Sequence, residues 1–277
     1  MRHCRPRSRR FAALLLLLVS AAPLAAHDMW IEPTAFTPEP GVLLGLRLRV
    51  GQDFLGDPLV RDVKLIDRFV VSGKDGVKNV LGREHADPAG LLRPSDPGLL
   101  IVGYQSTPSP VVLPPAKFQQ YLTDEGLEPI AALRASRGQT DAEAREVFTR
   151  CAKTLVLLGP AAATQKDQVL HFILELTAEQ NPYVMHAGET LPFRLTYQEK
   201  PLAGALVVAI NQREPSVKVS ARTDRDGRVH LALGKPGAWL IKAVHMIPAP
   251  AGSASDWASF WASLTFELPS APSRASR

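Results

Sequence analysis

From residue 167 onward the chain sets an apolar residue at every second position in one short run after another. VLHFILEL (169–176) alternates Leu170, Phe172, Leu174 and Leu176 against His171, Ile173 and Glu175, and ETLPFRLTYQ (189–198), ALVVAINQ (205–212) and KVSARTDRDGRVHLALGKPGAWLIKAVHM (218–246) continue the series. A period of two sends alternate side chains to opposite faces of a strand, so each run has one face to bury. TDRDG and GKPG carry the turn residues of hairpins. If GKPG (234–237) closes one, His230 pairs near residue 241 or 242 and lies about four ladder positions from His245, on the order of 13 Å. The spacing of these strands predicts a C-terminal sandwich of immunoglobulin or transthyretin type over 167–268.

The region before it is also rich in strands. GVLLGLRLRVG (41–51) alternates Leu44, Leu46, Leu48 and Val50 with Gly45, Arg47 and Arg49, and VKLIDRFVVSG (63–73) and LLIVGYQS (99–106) are further apolar runs bounded by Gly, Pro and Asp. They predict an N-terminal β domain over 27–115, closed by the proline-rich PSPVVLPP (108–115). A helical segment is expected over 116–160. In KFQQYLTDEGLEPIAALRAS (117–136), Phe118, Tyr121 and Leu122 share one side, with Ile130 and Leu133 following a break at Gly126 and Pro129. In TDAEAREVFTRCAKTLVLLGP (140–160), Thr140 and Glu143 form a capping box, and Ala144, Val147, Phe148, Cys151, Leu155 and Leu158 recur at helical spacing until Gly159-Pro160. The fold class is therefore mainly β, with one short helical segment between two β domains, and a tail at 269–277 that is expected to be disordered.

The first 26 residues read as an export signal. MRHCRPRSRR is basic, FAALLLLLVSAA is an apolar core too short to span a bilayer, and small residues follow Pro23. Cleavage after Ala26 makes His27 the first residue; Ser8 to Phe11 faintly resembles a twin-arginine signal, and the export route is left open. Removing Arg2, Arg5, Arg7, Arg9 and Arg10 takes the basic residues from 32 to 27, equal to the 27 acidic ones. No charge excess remains to draw nucleic acid or an anionic membrane. Cys4 leaves with the signal, so the lone Cys151 has no disulfide partner, and its place on the apolar stripe marks it as a buried structural thiol.

Chemistry concentrates on the six histidines that follow the expected signal: His27, His85, His171, His186, His230 and His245. A terminal His27 offers its α-amine and ring Nδ1 as a chelating pair, because an α-amine loses its proton more easily than a lysine and late divalent metals favour nitrogen ligands. The other reading is that His27 is merely the residue that cleavage leaves first. His245 shares a face with Trp239, Ile241 and Ala243, which suits a strand-end or core role, while Asp224 and Asp226 reach the same edge and can supply oxygens. His230 is expected in solvent, His171 on the surface, and His186 and His85 in loops. TDRDG lacks the rest of an EF-hand loop, and no nucleophile elbow, zinc-protease motif or phosphate loop is found. Trp257 and Trp261 are four apart, a helix-like spacing passing into a strand, and they suit the core better than a sugar-stacking platform.

HDMWIEP, FQQYLTDEGLEPI, REVFTRCAKTLV, LELTAEQNPY, KPLAGALVVA, TDRDGRVHLALGKPGAWLIKAVHM and WASFWASLTFEL together resemble a bacterial family of exported proteins, domain of unknown function 4198, often labelled nickel-uptake or cobalt-transport periplasmic component. The resemblance implies a periplasmic protein with an immunoglobulin-like or collagen-adhesin-type C-terminal domain and a role in transition-metal uptake. Its opening H-D and its later A-V-H fall on His27, Asp28 and His245. The resulting expectation is a non-enzymatic periplasmic protein that binds nickel, cobalt or copper through His27 and His245, with Asp28 and Asp226 as additional oxygens, and serves an inner-membrane importer. The alternative is a non-catalytic sandwich module that binds a protein partner or glycan. A third reading is a brace-type copper oxygenase, which needs a second ring nitrogen beside His27.

Overall fold

The computed structural model describes residues 27–270, so the expected signal at 1–26 and, apart from residues 269 and 270, the expected tail at 269–277 lie outside the described residues. Seventeen strands and two α-helices follow in order. The first eight strands are β1 (Asp28–Pro33), β2 (Leu44–Gln52), β3 (Leu55–Leu59), β4 (Ile66–Gly73), β5 (Gly76–Asn79), β6 (Gly90–Leu92), β7 (Gly98–Ser106) and β8 (Ser109–Leu113). Helices α1 (Pro115–Asp124) and α2 (Glu128–Ser136) come next, then β9 (Ala144–Leu158), β10 (Leu174–Ala178), β11 (Thr190–Tyr197) and β12 (Lys200–Pro201). The described residues end with β13 (Leu206–Asn211), β14 (Lys218–Arg222), β15 (Arg228–Ala232), β16 (Gly237–Pro248) and β17 (Trp257–Leu268).

The strands form three layers. The central sheet has nine strands in the order β14-β13-β16-β17-β9-β7-β4-β5, with β8 also on β9. One face carries the small sheet β1-β2-β3 with β6 on β2, and the other carries β10-β11-β12 with β15 on β11. The fold is thus mainly β, and the expected C-terminal sandwich is present: Leu174, Leu176, Phe193, Leu195, Val229 and Leu231 pack against Trp239, Ile241, Leu264 and Phe266. A second sandwich stands beside it, where Met29, Ile31, Leu46 and Leu48 meet Phe69, Val102, Ala152 and Val156. The two share the central sheet, which draws strands from before residue 115 and from after residue 167, while each small sheet lies on one side of both positions.

The largest correction concerns 140–160, which is not a helix. Residues 140–143 lie in a turn region, and Ala144–Leu158 is one fifteen-residue strand. Every residue from Cys151 to Leu158 is buried, because both faces of β9 are covered. A strand buried on both sides loses its alternation and reads as an unbroken apolar run, in which helical spacing is found by chance. Cys151 is buried as expected, but on a strand, and burial pushes its thiol up to about 12. The expected helix at 117–136 is two helices broken at Gly126, whose φ of +65° suits glycine.

The second correction concerns the hairpins. β15 pairs with β11, while β16 pairs with β13 and β17, so GKPG carries the chain from one sheet to the other. His230 and His245 therefore lie in different sheets rather than on one ladder. TDRDG is a turn with Gly227 at φ +72°, but it also joins strands of different sheets, β14 and β15. Residues 169–173 precede the strand that begins at Leu174, and WASFWASLTFEL is strand throughout, with Trp257 and Trp261 in the core.

Close approach of the layers leaves no room at Gly103 on β7. A Cβ there would lie 2.3 Å from Leu170 Cδ1 and 2.7 Å from Phe172 Cζ. Gly103→Val is expected to destabilise the protein by about 1–3 kcal/mol through overpacking, read as a lower urea midpoint at unchanged slope.

Candidate functional site at the head of the first strand

His27 precedes β1, whose register on β2 begins with Asp28 opposite Gly51. That pairing fixes the backbone just after His27. The side chain of Asp28 is fixed as well, since Lys242 Nζ on β16 lies 2.7 Å from Asp28 Oδ1 and 2.7 Å from Glu125 Oε1, just past α1. Asp28 and Glu125 are both buried. Burial pulls the Lys242 ammonium down, but the two carboxylates outweigh it and raise it above the ordinary lysine value. Burial raises Glu125, against the pull of Lys242. One largely buried cation thus ties the first strand, the helical pair and the central sheet together.

A buried acid lies on the same face of the sheet. Glu146 on β9 accepts hydrogen bonds from Ser259 Oγ and, at 3.3 Å, from Tyr121 Oη; Ser259 Oγ accepts from Trp261 Nε1 at 3.1 Å. The Tyr121 ring stacks on Trp261 with centroids 5.2 Å apart. Burial pushes the Glu146 carboxyl up to about 7, against those two hydroxyl donors and the charge of Arg150. Arg150 lies over the Phe148 ring at 4.7 Å and feels the charges of Asp28 and Glu146. His27 itself is half-buried, and its Nδ1 is shielded from solvent without a hydrogen-bond partner.

The expected ligands do not converge. Lys242, Val244 and Met246 project toward the helices and β1, so His245, at the intervening parity, projects to the other face. There its ring packs on Tyr197 with centroids 4.5 Å apart and on Phe260 at 6.4 Å, and burial lowers it below the ordinary histidine value. Asp28 is committed to Lys242. Asp226 is exposed in the TDRDG turn, 3.7 Å from Arg225 Nε, and its N–H donates to Asp224 Oδ1. His85, His171, His186 and His230 are exposed, His171 with Nδ1 2.8 Å from Glu199 Oε1. Among the described residues no three His, Cys, Asp or Glu side chains are grouped to hold a metal ion. Sequence reasoning missed Lys242, Glu125 and Glu146; the visible signal was a charge standing inside an apolar strand, as Lys242 does in AWLIKAVHM.

A family model described as a domain of unknown function, DUF4198, matches residues 24–247. No curated protein matches the chain. Among solved structures, the D0-D1 domain of intimin is similar at 12% identity over 86% of this chain and 97% of that one, with a TM-score of 0.20. A Salmonella alpha-2-macroglobulin mutant aligns at 13% identity over 89% of this chain and 15% of its own, TM-score 0.20, and dimeric latent PorU from Porphyromonas gingivalis at 11% over 88% and 21%, TM-score 0.19. TM-scores this low carry no argument about fold or function. Among the described residues no helix is long and apolar enough to cross a membrane.

Two outcomes are expected here. Lys242→Met leaves two buried carboxylates unpaired and costs about 3–5 kcal/mol in urea unfolding, most of which returns when Asp28→Asn and Glu125→Gln are added. Glu146 holds its proton in the folded state up to pH about 7, against an ordinary value of 4.5. Stability from this group is therefore fully present below the unfolded value and lost as pH rises through the folded one, on the order of 3 kcal/mol in all. Melting of the wild type falls from pH 5 to pH 8, and Glu146→Gln flattens that slope.

Proposed function

The chain belongs to the DUF4198 family, and on that premise we propose that it is an exported periplasmic protein that binds one transition metal ion, nickel, cobalt or copper, at its processed N-terminus and delivers it to an inner-membrane importer. The observation that carries this reading is the His27 ring, held at the head of β1 with Nδ1 shielded from solvent and unpartnered. A buried polar atom without a partner is costly, and a metal ion is one partner that satisfies an imidazole nitrogen. Cleavage after Ala26 frees the α-amine of the same residue, and amine and Nδ1 then close a chelate ring on the cargo ion.

The clamp on Asp28 gives the chelate its setting. Lys242 holds the residue after His27 rigidly, so the chelating pair is borne by ordered backbone rather than a fraying terminus. With Asp28 engaged, His245 on the other face and Asp226 in an exposed turn, the ligand set narrows to His27. A histidine brace would need a second imidazole beside His27, and His245 does not provide it.

A glycan- or partner-binding sandwich is the second reading, favoured by the half-exposed Tyr197 and His245 packed with Phe260 at the far face. Titration of the processed protein with nickel, cobalt and copper separates the two. The metal reading predicts one ion per chain, with affinity falling more than about tenfold, or ~1.4 kcal/mol, when one alanine is added ahead of His27 or when His27→Ala is made. Equal binding by the extended and authentic N-termini, or no binding by either, overturns it.

A further inference from the structure

Far from the head of β1, at the opposite end of the central sheet, the β4–β5 hairpin, the loop before β7 and the loop before β10 enclose a cleft of about 640 Å³. That volume lies within the roughly 300–1,000 Å³ of small-molecule sites. Its floor is apolar: Val71, Leu92 and Leu100 are half-exposed there. Its rim is cationic, with Lys74, Lys78, Arg93 and Lys166 against Asp75 and Asp96. Lys78 pairs with Asp75 at 2.8 Å, which leaves three cations facing one carboxylate.

The walls are built rather than loose. Lys166 and Gln168 flank Asp167, whose buried carboxylate pairs with Lys153 at 2.9 Å, and the Gln168 carbonyl accepts from the same ammonium at 2.9 Å. Gln168 Oε1 also accepts from Ser72 Oγ of β4 at 2.9 Å, which joins the two walls. On the third wall, Arg93 Nη1 donates to the Gly41 carbonyl at 2.8 Å, which positions a guanidinium with further N–H groups to offer. Gly73 brings the hairpin close to the floor: a Cβ there would stand 2.8 Å from Leu100 Cδ2.

We infer that this cleft binds an amphipathic organic anion, its carbon body on Val71, Leu92 and Leu100 and its acidic group at Lys74, Arg93 and Lys166. A bare inorganic anion would leave the apolar floor wet, and a neutral apolar molecule would leave the cations without counter-charge. Only a ligand with both parts satisfies both surfaces. The site is independent of the N-terminal metal reading and shares no residue with it.

Anilinonaphthalene sulfonate is a suitable probe, and its uncharged relative N-phenylnaphthylamine is the control. Fluorescence and calorimetric titration of the full chain are expected to show one sulfonate site. The neutral compound should bind at least about tenfold more weakly, and the Lys74→Glu, Lys166→Glu double variant should weaken the sulfonate by a similar factor, with a strong salt dependence in the wild type. Both lysines are exposed, so the double variant should melt as the wild type does; Ser95→Trp, also exposed, should block the cleft sterically with the charges intact. Equal affinity for charged and neutral probes, or sulfonate binding unmoved by both variants, overturns the proposal.

Discussion

The parallel ladder between β9 and β17 is the contact on which the rest of the molecule is hung. Nine register pairs, from Trp257↔Glu146 to Thr265↔Thr154, join the middle of the chain to its last strand. To one side of this seam lie β16, β13 and β14, and to the other β7, β4 and β5. Without it the nine-stranded sheet is two smaller sheets, each with an open edge. Parallel strands are commonly buried on both faces, and the small sheets and the helical pair supply that cover here.

Two lysines pin the covering layers, one on each face. Lys153 of β9 turns toward the C-terminal small sheet and meets Glu175 at 3.0 Å and Asp167 at 2.9 Å; Lys242 of β16 turns the other way to Asp28 and Glu125. A buried ion pair seldom adds more stability than well-packed apolar residues would, but it has a fixed geometry that apolar packing lacks. In each case the ammonium selects one placement of a covering element over the sheet. The same two pins define both proposed sites, since Lys242 orders the residue after His27 and Lys153 orders the loop that carries Lys166.

Local pattern made part of this architecture legible. Alternation in LGLRLRV, LLIVGYQ and LPFRLTY marks strands wet or differently packed on their two faces, and Gly126 breaks the helices where a positive φ is needed. The pattern fails where both faces are buried, as in β9, and where a turn passes between layers, because GKPG looks the same whether its strands pair or part. For the candidate site, the position of His27 was visible as the residue after an expected cleavage signal. Its setting was not, since Lys242 stands 214 positions from Asp28 and 117 from Glu125, and no local rule links them. The separation of His27 from His245 follows from strand parity, which required knowing which face β1 covers.

The first strand is bonded to the last. Thr265 Oγ1 of β17 donates to the Ile31 carbonyl of β1 at 2.7 Å, across 234 positions of sequence. Contacts so distant in sequence form late, because a long loop must close before they return any energy. β1 can pair with β2 as soon as both are present, but the Ile31 carbonyl has this partner only once β17 is in place. The opening strand is thus latched by the closing one, so a change that loosens β17 is felt at the head of β1.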